Sequence, residues 1–276
     1  MKAKKSLGQN FLKSIPALNK IIEAGEISAS DIVLEIGPGK GVLTKKLLEK
    51  SGCVIAVEKD RELFSLLQEK FAKEIEEKKL ILINEDILEF NVTTEISKFL
   101  SGPRIPGSLS QPDHSKNLRF PPYKIIANIP YNITGAILKK FLTEKNQPER
   151  MILMVQHEVG KRIVDPKGSI LSISVKAYGE PKLVMKVPAR YFSPAPKVDS
   201  VIISIKHISR KTFEENEINE AKFWEIVKIG FAHKRKKLSG NLKNVVSAEK
   251  LSASVLGDKR AENLSLSDWI TLVGLV

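Results

Sequence analysis

The sequence predicts an α/β protein built on an open, doubly wound sheet and followed by a small all-α segment. Three observations carry that expectation. Short apolar runs recur with helix-patterned stretches between them, the first run ends in a glycine loop that leads into a helix, and no strand-like run follows position 208.

The first run is Asp31-Ile32-Val33-Leu34-Glu35-Ile36, bounded by Gly37, as expected of a buried parallel strand. Gly37-Pro38-Gly39-Lys40-Gly41 turns the chain into a helical pattern over 42–50, and a helix over 16–24 precedes it. Further strands are expected at 53–57, 80–83, 123–127 and 151–156, with helices over 61–75, 92–100, 132–142 and 168–178. Two last strands, 182–187 and 198–205, have no helix between them, so the seventh pairs back as an antiparallel hairpin. Residues 101–122 carry neither period and are rich in Pro, Ser and Gly, which marks a long insertion. The expected division is a first domain over 1–208 and a helical one over 209–276.

Composition narrows the function classes. With 276 residues, 42% of them hydrophobic, the chain can bury a sizeable core. A net charge of +13 favours a polyanionic partner. The single cysteine, Cys53, sits in an apolar strand, so no intramolecular disulfide and no cysteine-based metal cluster is expected. No run approaches a membrane span, and the basic amino terminus lacks the apolar core of a signal peptide; the expected location is cytoplasmic.

The glycine loop departs from two familiar phosphate-binding patterns. The dinucleotide fingerprint needs a third glycine where this chain has Val42, and the phosphate-cradling loop needs Gly-Lys-Ser/Thr. Glu35 stands two residues before Gly37 and would repel a pyrophosphate, but it suits a cationic ligand. S-adenosylmethionine carries both an ammonium and a sulfonium. Glu58 ends the second strand, where a carboxylate accepts from ribose hydroxyls, and Asp86 follows the third strand, placed to accept from an adenine amine.

The fourth strand runs into Asn128-Ile129-Pro130-Tyr131. Methyl transfer is an in-line displacement that needs orientation above all. The Asn128 side chain and the Pro130 carbonyl can accept both hydrogens of an adenine amine, and Tyr131 can stack on the base. A base must leave its stack to enter such a pocket. Phe192, in the proline-stiffened loop 191–197, is the expected aromatic on its other face.

Taken together, Gln9-Asn10-Phe11-Leu12, Val33 to Gly41, Asn128 to Ile133 and Phe192-Ser193-Pro194-Ala195-Pro196-Lys197-Val198-Asp199-Ser200 resemble the rRNA adenine N6,N6-dimethyltransferases, specifically the bacterial small-subunit (16S) KsgA type. The resemblance spans nearly the whole chain in order. It implies a Rossmann-like S-adenosylmethionine-dependent methyltransferase fold with a seven-stranded mixed sheet and a small all-α carboxyl-terminal domain. It implies dimethylation of two adjacent adenosines in the 3′-terminal helix loop of 16S rRNA, on the 30S subunit or a late assembly intermediate, by a monomer. By the same resemblance Gln9, Asn10 and Leu12 join Glu35, Gly37 and Gly39 around the cofactor. Glu58, Lys59, Asp86, Ile87 and Asn128 complete that set, and Lys234, Arg235, Lys236 and Lys237 form the RNA-contacting segment. The insertion at 101–122 is longer than the family usual. The Erm-type large-subunit enzymes share the sheet and the elbow, but the Lys-Arg-Lys-Lys and Pro-Lys-Val-Asp-Ser segments favour the small-subunit type.

Overall fold

In a computed structural model, residues 3–101, 120–233 and 235–276 are described. Lys234 and most of the insertion expected at 101–122 lie outside the described residues. The chain opens with β1 (Phe11–Leu12), α1 (Ile15–Gly25), β2 (Ile32–Ile36), α2 (Val42–Leu48) and β3 (Cys53–Val57). Next come α3 (Arg61–Lys70), α4 (Ala72–Glu76), β4 (Leu80–Ile83), α5 (Val92–Ser101) and β5 (Tyr123–Asn128). They are followed by α6 (Thr134–Thr143), β6 (Arg150–Gln156), α7 (His157–Val164), α8 (Ile170–Lys176), β7 (Glu180–Val187), β8 (Phe192–Ser193) and β9 (Ser200–Lys206). The described residues end in α9 (Lys211–Glu215), α10 (Glu220–Gly230), α11 (Leu238–Asn241), α12 (Ala248–Ala253) and α13 (Leu266–Gly274).

Seven strands form one mixed sheet in the order β4-β3-β2-β5-β6-β9-β7. The pairs β3/β4, β2/β3, β2/β5 and β5/β6 are parallel, and β9 returns antiparallel to β6. Every residue of β2 and β3 is buried, because helices cover both faces of a parallel sheet. Strand order reverses between β2 and β5, and there the ladder stops at Leu34↔Ile125, while β2 stays paired to β3 as far as Ile36↔Val57. The two central strands therefore part at their carboxyl ends, and a crevice at such a switch point is where open α/β sheets hold ligands.

Four local outcomes differ from sequence periodicity. The helix expected over 61–75 breaks at Phe71, whose ring fills the space beside Gly41; a Cβ on that glycine would lie 2.5 Å from the ring. One 3-10 turn (Tyr131–Ile133) precedes α6, in place of a helix beginning at Asn132. The helix α7 was hidden because its apolar positions are few, Val159, Ile163 and Val164, in a charged stretch. Finally, Phe11–Leu12 pairs with Phe192–Ser193 as a separate two-stranded sheet, a long-range contact with no local pattern.

The chain divides into two compact units, Met1–Gly160 with Lys182–Lys206, and Lys161–Pro181 with His207–Val276. The helix α8, expected inside the sheet domain, thus falls in the helical unit. Within that unit Tyr178 stacks on Trp224 at 6.2 Å between ring centroids and meets Phe213, which packs edge-on to Phe223. Its hydroxyl donates to Glu220 and accepts from Trp224 Nε1, so a buried phenol is satisfied.

At the opposite edge of the sheet from the crevice, Glu26 accepts from Arg150 at 2.6 Å and from Lys206 at 2.5 Å. These cations, Arg150 first, hold its carboxyl down at about 2. A depressed carboxylate stabilises the fold above its unfolded value near 4.5 and loses that contribution as pH falls toward 2. Urea unfolding of Glu26→Gln between pH 2 and 7 is expected to show a shallower acid loss than the unaltered protein. The difference at neutral pH should be about 1 kcal/mol or less, since the side chain is half exposed and screened.

Candidate active site

The crevice between β2 and β5 is a cleft of about 370 Å³. Its floor begins at Glu35, a carboxylate next to the end of a buried strand and only 1% exposed. Its Oε2 has no hydrogen-bond partner, and the nearby Thr44 hydroxyl does not complete one either. Burial first, and then the neighbouring negative charge of Glu58, push the Glu35 carboxyl up to about 8.

The glycine loop follows directly. Gly37 and Gly39 adopt φ of +64° and +60°, a left-handed geometry that favours residues without a Cβ. At Gly39 a Cβ would also press to 3.1 Å from the Phe11 ring. The Gly39 N–H donates to Glu58 Oε2 at 3.0 Å, and the Asp60 N–H donates to Glu58 Oε1 at 2.9 Å. A carboxylate has about four acceptor positions, so each Glu58 oxygen keeps one for a further donor. Burial raises its pKa against the pull of those N–H groups.

Asp86 closes the next wall. Its Oδ2 meets Lys59 Nζ at 2.6 Å and its Oδ1 accepts from the Leu88 N–H at 3.0 Å. The Lys59 bond is the main reason its pKa lies below the ordinary carboxylate value. Ile87 lines the cleft beside it.

On the fourth wall, Asn128 ends β5. Its Nδ2 donates to the backbone oxygen of Asn10 at 3.1 Å, which leaves Oδ1 as the acceptor end of the amide. Pro130 has extended backbone (φ −60°, ψ 131°), and its carbonyl accepts a long bond of 3.3 Å from the Ile133 N–H, with a second lone pair left over. Tyr131 lines the cleft, and its hydroxyl is hydrogen-bonded to Ser200 Oγ. The Thr134 hydroxyl caps the elbow by donating to the Tyr131 carbonyl at 3.1 Å.

The structure brings into one cleft Gln9, Asn10, Leu12, Glu35, Gly37 and Gly39. It also brings there Glu58, Lys59, Asp86, Ile87, Asn128, Pro130 and Tyr131. Phe192, the expected base-facing aromatic, lies beside the cleft lining. It is 2% exposed, pairs with Leu12 and packs into the main core, and only its neighbour Ser193 lines the cleft. The aromatic that does line the cleft besides Tyr131 is Phe11, under Lys40 Nζ at 4.9 Å. Strand alternation at 11–12 held that signal, since burying Leu12 turns Phe11 to the other face.

Of the segment expected to contact RNA, residues 235–237 lie in the helical unit. Arg235, Lys236 and Lys237 are exposed, and Lys237 Nζ pairs with Asp258 at 2.7 Å. Among the described residues no group of His, Cys, Asp and Glu could hold a metal ion.

A family model described as ribosomal RNA adenine dimethylase matches residues 1–276. The chain belongs to that family. It is 39% identical to ribosomal RNA small subunit methyltransferase A of Dehalococcoides mccartyi strain BAV1, over 98% of this chain and 87% of that one. It is 35% identical to the protein of the same name from Fusobacterium nucleatum, over 99% and 97%. Among solved structures, a dimethyladenosine transferase from Plasmodium falciparum superposes with a TM-score of 0.73 at 25% identity, covering 96% of this chain and 98% of that one. The 23S rRNA methyltransferase ErmE gives a TM-score of 0.71 at 22% identity, covering 96% and 98%, a likeness of fold. The protein is an S-adenosylmethionine-dependent rRNA adenine dimethyltransferase.

The cleft fits that cofactor by its own chemistry. A buried carboxylate with an orphaned oxygen is a site that lacks a cation, and the methyl donor is cationic. The sign of the Glu35 shift sets a test. In the cofactor-free fold the carboxyl keeps its proton up to about pH 8, whereas the unfolded chain releases it near 4.5, so this group's contribution to stability falls as pH rises between the two. A cationic ligand selects the ionised form. Titration calorimetry at pH 7 in buffers of different ionisation enthalpy is expected to show proton release on S-adenosylmethionine binding, and Glu35→Gln should abolish that release.

Proposed function

We propose that the protein dimethylates N6 of two adjacent adenosines in the 3′-terminal helix loop of 16S rRNA, in the cytoplasm, as a monomer acting on the small subunit or its late assembly intermediate. The observation that carries this reading is the Asn128-Ile129-Pro130-Tyr131 elbow sharing one cleft with Glu35, Glu58 and Asp86. The small-subunit names of relatives at 35–39% identity support the choice of subunit over the Erm type.

S-adenosylmethionine supplies an electrophilic methyl group on sulfur. The residues around it bind and orient. Glu35 faces the cationic end, Glu58 accepts from the ribose hydroxyls, and Asp86 accepts from the adenine amine of the cofactor while Lys59 holds its carboxylate. Gln9, Asn10, Leu12, Gly37, Gly39 and Ile87 enclose it.

The target base enters beside Tyr131. Asn128 Oδ1 and the Pro130 carbonyl accept the two N6 hydrogens, which draws the nitrogen toward a pyramidal geometry with its lone pair aimed at the methyl carbon. The Asn10 carbonyl fixes the rotamer of Asn128 that makes this possible. The bound cofactor would supply the methyl group and leave as the neutral thioether, and the methylated amine would shed its proton to water, so no residue of the cleft must act as a strong base. Tyr131 lines the cleft and stacks on one face of the base, and Phe192, next to the cleft-lining Ser193, is the aromatic for the other face.

The deciding experiment supplies labelled S-adenosylmethionine to undermethylated small subunits and maps the modified bases. Two adjacent dimethyladenosines near the 3′ end are expected, and methylation confined to large-subunit rRNA would refute the subunit choice. Asn128→Ala should lower methyl transfer by at least about a hundredfold while subunit binding stays within a few-fold.

The helical unit, with residues 209–276 and the segment Lys234 to Lys237, is the proposed rRNA-binding domain. Phosphate contacts make affinity fall with salt in proportion to their number. Replacing Arg235 and Lys236 together by alanine should reduce the slope of log affinity against log salt by about one to two, measured by filter binding to small subunits. Lys237 should contribute less because Asp258 already pairs with it.

A further inference from the structure

The amino-terminal segment forms part of the cleft wall from Ser6 to Lys13, yet its first half belongs to no sheet. Two separate anchorages hold it. The far half is tied by backbone: Phe11 and Leu12 pair with Ser193 and Phe192, and the Lys13 N–H donates to the Tyr191 carbonyl at 2.8 Å. The near half is held at the start of α3, where Lys4 Nζ pairs with the exposed Glu62 at 2.8 Å and where the buried anchor is Asp60. Lys4 Nζ reaches Asp60 Oδ1 at 2.8 Å and Gln9 Nε2 donates to Asp60 Oδ2 at 2.8 Å. The Lys4 N–H donates to Gln9 Oε1 at 2.7 Å, closing the ring of contacts.

Asp60 is unlike an ordinary helix cap. It is 3% exposed, its Oδ1 also accepts from the Glu62 N–H at the start of α3, and its own N–H donates to Glu58. Burial works against its charge, but the bonds from Lys4, Gln9 and the Glu62 N–H outweigh it and hold its pKa below the ordinary value. A buried carboxylate that takes bonds from two residues more than 50 positions away spends most of its acceptor capacity on the segment rather than on the helix.

We infer that Asp60 is a positioning residue which latches residues 4–9 against the cleft and thereby sets how tightly the methyl donor is held. The inference rests on the reading of the cleft as the S-adenosylmethionine site. The latch acts by preorganisation: a wall that is already closed when the cofactor arrives has no ordering cost left to meet. It touches neither reacting atom, and the Asn10–Asn128 contact lies on the side anchored by β1. Loosening the latch therefore changes retention of the cofactor and leaves the chemical step alone.

Two variants of the full chain separate the latch from the cap. Asp60→Asn keeps a good helix cap but loses the ion pair and one acceptor, and Lys4→Met removes the cation, with its pairs to Asp60 and Glu62, while the cap that Asp60 gives the Glu62 N–H stays. Titration calorimetry with S-adenosylmethionine is expected to give a dissociation constant raised about tenfold for Asp60→Asn and about threefold for Lys4→Met. The kcat at saturating cofactor and saturating small subunits should stay within twofold of the unaltered protein, while the KM for S-adenosylmethionine rises. In the cofactor-free protein, hydrogen exchange of the amides of Leu7 to Gln9 should quicken in both variants, with strands β2 and β3 unchanged. Dissociation constants within twofold of the unaltered value in both variants would overturn the inference, as would faster exchange spread over β2 and β3, the mark of a merely structural cap. No cofactor binding by the unaltered protein would instead refute the reading of the cleft, and the exchange of Leu7 to Gln9 would still decide whether Asp60 is a latch.

Discussion

The turn Glu58-Lys59-Asp60 after β3 is the contact on which the cleft depends. Three consecutive side chains reach in three directions: Glu58 to the Gly39 N–H, Lys59 to Asp86, and Asp60 to Lys4 and Gln9. One strand end thus fastens the glycine loop, the wall after β4 and the amino-terminal segment to one another. Each bond is charge-assisted; the one to Gly39 is buried, those to Asp60 are partly buried and the Lys59–Asp86 pair is exposed, so the first is worth more than the last.

This arrangement gathers carboxylates in the part of the molecule least suited to them. The chain carries a net charge of +13, yet Glu35 and Glu58 sit close together, buried, with raised pKa values. Such a pair is a reservoir of electrostatic strain that a cationic ligand relieves. In the proposed reading the basic surface meets a polyphosphate and the acidic pocket a sulfonium.

On the side of the elbow the logic is different. Asn128, Pro130 and Tyr131 are neutral, and each is oriented by a neighbour: Asn128 by the Asn10 carbonyl, Pro130 by its own ring, and Tyr131 by Ser200 and by the cap from Thr134. Orientation is what displacement at a methyl carbon requires. The buried Phe192 belongs to this framework too, because its pairing with Leu12 holds the far half of the amino-terminal segment beside the elbow.

Much of the site is legible in the residues alone. Strands with both faces buried announce themselves as apolar runs, so Glu35, Glu58, Asp86 and Asn128 can be assigned to strand ends by counting, and a doubly wound sheet brings successive strand ends to one edge. What periodicity could not supply was anything set by contacts between distant segments. The pairing of Phe11–Leu12 with Phe192–Ser193 buries Phe192 and turns Phe11 to the cleft, Asp60 meets partners 51 and 56 residues away, and α8 joins the helical unit instead of the sheet. Local pattern determined the chemistry available at each strand end, because burial imprints itself on neighbouring residues. Which side chain faces a ligand and which one faces the core is decided by packing across the chain, and no run of neighbouring residues records it.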